Sequence, residues 1–300
     1  MIQKDLLHLV EIVSVLADAP ILEELLAAAD LPSSSYSNFE TGLASTCVLA
    51  ENAAEAQVFL QQIESLLPEW AGLLSAPLQS LECRDMRQED WSESWKKHFH
   101  TFRASERLLV KPSWEDAEAQ PGDIILELDP GMCFGTGYHG TTKACLQFLD
   151  QLQQEIGPGA SFLDAGCGSG ILSIAARLLG YNPVFAFDHD PQAVDTAQEN
   201  LNKAGFLEVQ PVLADVKDYL PPQPCRLLAA NILATVLMRH AEQILACLVK
   251  DDKPAFLILS GILNEQYAEV KECFSKLGCK EIKKLAIQEW SSGCFQINAV

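Results

Sequence analysis

Residues 162–190 constrain the fold more than any other stretch of this 300-residue chain. They read Phe-Leu-Asp-Ala-Gly-Cys-Gly-Ser-Gly, then an apolar helical run, then Val-Phe-Ala-Phe-Asp-His-Asp. Hydrophobic strand, glycine turn, helix, second strand and terminal acid follow in the order of the first half of a nucleotide-cofactor fold. In that fold the ligand backbone lies against the turn and the acid holds a ribose. The glycine spacing excludes the ordinary dinucleotide form. That form is G-x-G-x-x-G, whereas Gly166, Gly168 and Gly170 stand at G-x-G-x-G, two residues after Asp164.

Apolar alternation and turn residues divide the rest. The first segment reads as strand Leu6–Leu16, helix Pro20–Ala29, strands Ser34–Phe39 and Ser45–Glu51, helix Ala53–Leu67 and strand Leu78–Arg84. This strand-helix-strand-strand-helix-strand order is ferredoxin-like. Trp91, Trp95, His98 and Phe99 then fall on one face of a helix, which reads as a linker packing its aromatics on a neighbouring domain. Strands Leu108–Lys111 and Asp123–Leu128 follow. A loop, Phe134–Thr142, precedes a helix over Lys143–Gln153. Strands at Ser161–Leu163, Val184–Phe187, Val209–Leu213, Leu227–Ala230 and Ala255–Ser260 alternate with helices at Ile171–Leu179, Pro191–Ala204, Leu233–Val249 and Glu265–Leu277. Lys280–Ile287 and Gly293–Val300 read as a final strand pair. Such alternation predicts a mostly parallel sheet covered on both faces.

Composition sets limits on partners. The net charge of −20 disfavours unaided binding of nucleic acid, whose phosphates it repels. Residues 1–90 carry fifteen acids against Lys4, Arg84 and Arg87, or 3 − 15 = −12, which suits a solvated surface or a cationic protein partner. No apolar run approaches the ~20 residues of a membrane span. The start of the chain, Met1-Ile2-Gln3-Lys4-Asp5, lacks the features of a secretory signal. The ten cysteines are scattered without C-x-x-C pairs, so free thiols in a reducing cytoplasm are expected, and no metal.

The G-x-G-x-G turn after an acid resembles the motif of S-adenosylmethionine (SAM) methyltransferases. The glycines at 166, 168 and 170 let the backbone approach the methionine portion and ribose of that cofactor. Asp188, 22 residues after Gly166, is placed to accept both ribose hydroxyls. Asp190 is its rival, but its place directly before Pro191 suits a helix cap. Asp215 faces either the adenine or the turn into Val216–Tyr219. Asn231 ends the fourth strand, where the methyl acceptor meets the cofactor, and either positions an incoming amine or caps the next helix. Methyltransferases of planar amides and bases carry Asn/Asp-Pro-Pro-aromatic at this point. Here Asn231-Ile232-Leu233-Ala234 lacks prolines and aromatic, which favours a flexible amine such as lysine. Gly140-Thr141-Thr142 lacks the lysine of a phosphate loop. The loop instead suits a lid, with Thr142 pointing a hydroxyl into the site and Phe134 packing on the ligand. His139, a lone loop histidine, is expected to bond locally rather than act as a base.

Taken together, Asp129-Pro130-Gly131, Phe134-Gly135-Thr136-Gly137, His139 and Thr141-Thr142 resemble the PrmA family motif DPG-x-x-FGTG-x-H-x-TT. Asp164–Leu172, Asp188–Ala193, Ala230–Ala234 and Leu259–Leu263 match its GCGSGIL, D-x-DPQA, ANILA and LSGIL segments. The resemblance covers about residues 91–265. It implies a class I SAM methyltransferase fold, Rossmann-like with a seven-stranded, mostly parallel sheet, joined to a small N-terminal ferredoxin-like domain. The expected bounds are 1–87 for substrate recognition, 88–105 for a linker helix and 106–300 for catalysis. It implies SAM as cofactor, with Thr142, Gly166, Asp188 and Asn231 as contacts, and Gly168 beside them. The implied reaction is methylation of lysine side chains and the N-terminal amine of ribosomal protein L11, with no single general base. Two alternatives stand beside it, methylation of another basic protein and a non-catalytic SAM-binding docking module. Gly140 replaces a common proline, which loosens the lid, and residues 1–90 match no quotable motif.

Overall fold

The computed structural model describes residues 6–29, 31, 33–38, 41–87, 99–129 and 140–297. The chain divides into two compact units, residues 1–99 and 100–300. The linker residues 88–98, with Trp91, Trp95 and His98, lie outside the described residues. The last linker positions expected to be helical, Phe102–Arg103, form a strand of the second unit.

In the first unit, β1 (Leu6–Val15), α1 (Ala19–Ala28), β2 (Ser33–Asn38), β3 (Leu43–Ala50), α2 (Ala53–Trp70) and β4 (Ser80–Arg87) follow in the expected order. The antiparallel sheet runs β2-β3-β1-β4. Alternate residues of the central strands, Val10, Ile12 and Val48, meet Leu22, Leu26 and Ile63 of the helices in one core. Asn52 starts α2 by accepting from Glu55 N at 3.0 Å, and Glu55 Oε2 accepts from Glu51 N at 2.6 Å. The helix runs past Leu67 to Trp70, because burial of Trp70 draws the last turn onto the core. Asp18, fully buried, accepts from Ser75 N and Ala76 N at 2.8 and 3.2 Å and so closes the loop after α2.

The second unit opens with a three-stranded sheet, β5 (Phe102–Arg103), β6 (Leu108–Lys111) and β7 (Ile124–Glu127). After it come α3 (Gly140–Ile156), β8 (Phe162–Ala165), α4 (Ile171–Leu179), β9 (Val184–Asp188), α5 (Pro191–Lys203) and β10 (Val212–Leu213). The chain then returns through β11 (Leu227–Asn231), α6 (Ala234–Arg239), α7 (Ala241–Ala246), β12 (Ala255–Leu263), α8 (Tyr267–Lys276), β13 (Cys279–Ile287) and β14 (Trp290–Ile297). The main sheet has seven strands in the order β10-β9-β8-β11-β12-β14-β13. Strands β10 to β12 are parallel, and β14 is antiparallel to both of its neighbours. From β8 the chain winds outward through β9 and β10, then crosses to β11 and winds the other way. The reversal leaves a crevice at the carboxyl ends of β8 and β11, where ligands of open α/β sheets bind.

Both faces are covered, as the near-continuous apolar strands require. Leu227 and Ala229 of β11 join Phe148, Leu172 and Phe256 in one core, and Leu228 and Ala230 join Leu237, Leu257 and Phe274 in the other. Several elements differ from the sequence reading. The helix expected over 233–249 leaves helical backbone at His240, where φ is −113° and ψ is 22°. Its tail is taken instead by a bridge between Leu248 and Cys225. The strand expected from Val209 shrinks to Val212–Leu213, both exposed on the sheet edge. The helix expected from Lys143 begins at Gly140, so Thr141 and Thr142 lie in its first turn rather than in a loop. The nine described cysteines are all free. No helix among the described residues is long and apolar enough to cross a membrane.

One polar cluster joins the small sheet to α3. Asp150, fully buried, accepts from Ser105 Oγ at 2.5 Å, Arg107 N at 3.0 Å and Arg107 Nε at 2.6 Å. Burial raises the pKa of this carboxyl, but the Ser105 and Arg107 bonds and the guanidinium charge outweigh it and hold the group below its ordinary range. Removing one partner of such a pair leaves an uncompensated charge. Arg107→Ala is therefore expected to lower the stability of the second unit by about 3 kcal/mol, read from urea titration.

Candidate active site

The crevice is built from the ends of three strands and the start of one helix. The turn after β8 is fixed first. Gly166 N and Cys167 N both donate to Phe187 O at 3.0 Å, tying the turn to the end of β9. From the other side Asn200 of α5 donates to Ser169 O at 2.9 Å. Gly166 has φ +75°, and a Cβ there would lie 2.5 Å from Ile232 Cγ2, so a side chain would be strained in its backbone and would displace the Ile232 side chain.

Asp188 sits at the carboxyl end of β9, 7% exposed. Its Oδ2 accepts from Gly168 N at 2.9 Å and its Oδ1 from Asp190 N at 3.1 Å, and His189 Nδ1 lies 3.2 Å from Oδ1. Oδ2 retains a second lone pair. Asp190 is the N-cap of α5, accepting from Gln192 N at 2.8 Å, as its place before Pro191 implied. Asp215 takes the turn role: Oδ1 accepts from Lys217 N at 3.0 Å, and this backbone bond, followed by the Lys217 ammonium, lowers its pKa despite slight desolvation.

Asn231 closes β11. It does not cap the next helix, whose N-cap is Leu233 without a side-chain bond. Its Nδ2 instead lies 3.5 Å from Thr142 Oγ1 in the first turn of α3. Its Oδ1 is buried and has no hydrogen-bond partner among the described residues. A buried amide oxygen left unpaired costs free energy that a ligand N–H or O–H would recover. Phe134 and His139 lie outside the described residues.

The sequence reading assigned no role to Ser173. Asp164, 1% exposed, accepts at Oδ2 from both Ser173 N, 3.0 Å, and Ser173 Oγ, 2.7 Å. It thereby anchors the first turn of α4 to β8. Burial pushes the Asp164 carboxyl up to about 7; the Ser173 bonds oppose the rise and the Asp188 charge adds to it. The signal in the sequence was an acid inside an apolar strand, nine residues before a serine in an apolar helix.

The donor set suits a nucleoside carrying positive charge. The Gly168 amide, which would face the phosphate in a dinucleotide site, is committed to a carboxylate. A phosphate placed there would meet Asp188 at like charge. A ribose diol finds acceptors in Asp188, and a sulfonium finds a favourable field.

A family model described as ribosomal protein L11 methyltransferase (PrmA) matches residues 18–297. The chain belongs to the PrmA family. PrmA relatives named ribosomal protein L11 methyltransferase include one from Chloroflexus aurantiacus, 36% identical over 262 residues, covering 79% of this chain and 77% of the relative. Another, from Herpetosiphon aurantiacus, is 34% identical over 290 residues, covering 89% and 87%. A crystal structure of a ribosomal protein L11 methylase from Lactobacillus delbrueckii subsp. bulgaricus matches with a TM-score of 0.59 and 27% identity, covering 67% of this chain and all of that one. As a PrmA protein the chain is a SAM-dependent methyltransferase of the class I fold, and the crevice just described fits its cofactor.

Two outcomes test this geometry. Asp188→Ala is expected to weaken SAM binding by more than about tenfold, through loss of charge-assisted bonds, whereas Asp190→Ala changes it less than about threefold; calorimetry measures both. Because the folded pKa of Asp164, about 7, lies above its ordinary 3.8, the folded state holds a proton that the unfolded state releases between these values. Its contribution to stability is present below about pH 4 and lost as pH rises to about 7. Asp164→Asn cannot titrate, so its Tm relative to the unaltered protein should climb across that window in a thermal-melt series.

Proposed function

We propose that the chain transfers methyl groups from SAM to lysine side-chain amines, and to the N-terminal amine, of ribosomal protein L11. The buried Asn231 Oδ1, which has no hydrogen-bond partner among the described residues, carries the acceptor side of this reading. It is a neutral acceptor for an amine N–H and stands where the fold brings acceptor and cofactor together. Membership of the PrmA family supports the substrate. In this reading Asp188 holds the ribose, Gly166 and Gly168 lie against the cofactor, and Thr142 and Asn231 face the reacting end. Bound there, SAM supplies a sulfonium methyl, whose C–S bond breaks as the amine nitrogen bonds to carbon.

The residues then have two tasks, orientation and exclusion of water. Asn231 orients the amine, and held geometry of this kind accounts for large rate factors without a dedicated base. The amine must be neutral to attack, and lysine's reference pKa is about 10.4. Burial of the amine beside positive charge lowers that value, and the proton leaves to solvent. The ferredoxin-like N-terminal domain, residues 1–87, is assigned to substrate recognition, where its −12 charge over residues 1–90 suits a basic protein. Binding of nucleic acid is not part of the proposal, and the cytoplasm is the compartment it implies.

Methyl-labelled SAM incubated with purified ribosomal proteins tests the reading. Label on ribosomal protein L11, at lysines and the N-terminus, is the expected result; label on another protein, or none, contradicts it. Asn231→Ala should lower kcat by roughly a hundredfold, the scale of a lost positioning group. The rate should rise with pH, and His139→Ala should keep turnover within about threefold, well short of the loss that removing a general base brings.

A further inference from the structure

Strand β12 carries polar and glycine residues where packing alone asks for neither. Ser260 is fully buried and stands beside Asn231 in the parallel register of β11 and β12. Its Oγ donates to Thr141 O at 3.1 Å and lies 2.7 Å from Ser292 Oγ of β14. A hydroxyl has one proton, so with that proton on Thr141 O the second bond runs from Ser292 to Ser260. Alanine or valine would pack the buried strand as well, and an interior hydroxyl is costly unless bonded. What the serine adds is a tie to the first turn of α3, one residue from Thr142.

The next residue, Gly261, has φ +76° and sits where the register between β12 and β14 breaks, between Leu259 and Ile262. A Cβ there would lie 2.6 Å from Ile232 O and 3.1 Å from Ile232 N and C. The bulge and the missing side chain let the Ile232 peptide, and with it Asn231, settle against β12. Asn231 and Thr142 are 89 residues apart in sequence and lie on different elements. Two consecutive residues of one strand locate both.

We propose that Ser260 and Gly261 are positioning residues for the SAM site: Gly261 seats the loop that carries Asn231, and Ser260 sets the helix turn that carries Thr142. The inference rests on the assignment of Thr142 and Asn231 to the cofactor site in the proposed function. Neither residue touches the cofactor in this role. Ser260 acts through Thr142 and Gly261 through Asn231.

A double-mutant cycle on SAM affinity, measured by calorimetry with the full chain, tests the Ser260 half without any protein acceptor. Ser260→Ala is expected to weaken SAM binding about tenfold, the scale of a small misplacement of a contact group. If Ser260 acts through Thr142, adding Ser260→Ala to Thr142→Ala should cost less than about twofold more. Ser292→Ala removes the same buried hydroxyl pair but keeps the bond to Thr141, so it should lower Tm by a similar amount while changing SAM affinity less than about threefold. Gly261→Ala should weaken binding by at least as much as Ser260→Ala and add less than about twofold to Asn231→Ala; binding within twofold of the unaltered protein, or losses that multiply, overturn the Gly261 half. The inference is overturned if Ser260→Ala binds SAM within twofold of the unaltered protein. Single losses that multiply in the double variant, or losses that track Tm equally in the two serine variants, overturn it as well. These outcomes leave methylation of ribosomal protein L11 untouched, whereas failure of the unaltered protein to bind SAM removes the site assignment itself.

Discussion

The hydrogen bond from Gly168 N to Asp188 Oδ2 joins the two features on which the proposed cofactor site depends, a turn and an acid 20 residues apart. It fixes the carboxylate at the rim of the sheet and turns a backbone donor away from the ligand. Helix N-termini and glycine turns are by default sites for anions. Here the internal carboxylate answers that field, and Asp164 adds a second acid beneath it. Burial pushes the Asp164 carboxyl up, and the Asp188 charge adds to the rise. What remains at the end of β9 is the Asp188 carboxyl, held by the amides of Gly168 and Asp190. That is a poor setting for a pyrophosphate and a good one for a ribose attached to a cation.

The acceptor side follows a different logic. Thr142 and Asn231 are brought together by packing rather than by one continuous motif. Gly166 admits the Ile232 side chain, Gly261 admits its backbone, and Ser260 reaches Thr141 across 119 residues of sequence. Interiors packed at this density transmit small shifts instead of absorbing them, so a methyl group added at either glycine is felt at Asn231.

Much of this was legible in the sequence. The strand-turn-helix-strand-acid order of residues 162–190 placed the crevice, and Pro191 separated the helix-capping role of Asp190 from Asp188 at the end of β9. The apolar runs located the parallel strands because strands buried on both faces show no alternation to misread. The start of α3 was hidden because glycine is a poor helix former, and Gly140 reads as loop although it begins the helix against Ile287. The break at His240 was hidden because the apolar pattern continues through it. Ser260 carried no signal of its own, since a lone serine in an apolar run has no period and its partner is set by tertiary register.

The choice of asparagine rather than aspartate at position 231 bears on how a basic substrate is both attracted and deprotonated. Attraction requires the cationic form of lysine, and transfer requires the neutral form. Negative charge on the protein surface acts within about a Debye length, ~8 Å at physiological salt, and so assists encounter without governing the proton at the reacting nitrogen. At that nitrogen a carboxylate would favour the ammonium and raise its pKa. An amide oxygen accepts an N–H bond from the neutral amine without adding an opposite charge that would hold the proton in place. In the proposed function Asn231 Oδ1, without a hydrogen-bond partner among the described residues, orients the acceptor while leaving desolvation free to lower its pKa, which reconciles an acidic protein with a reaction that needs an uncharged nucleophile.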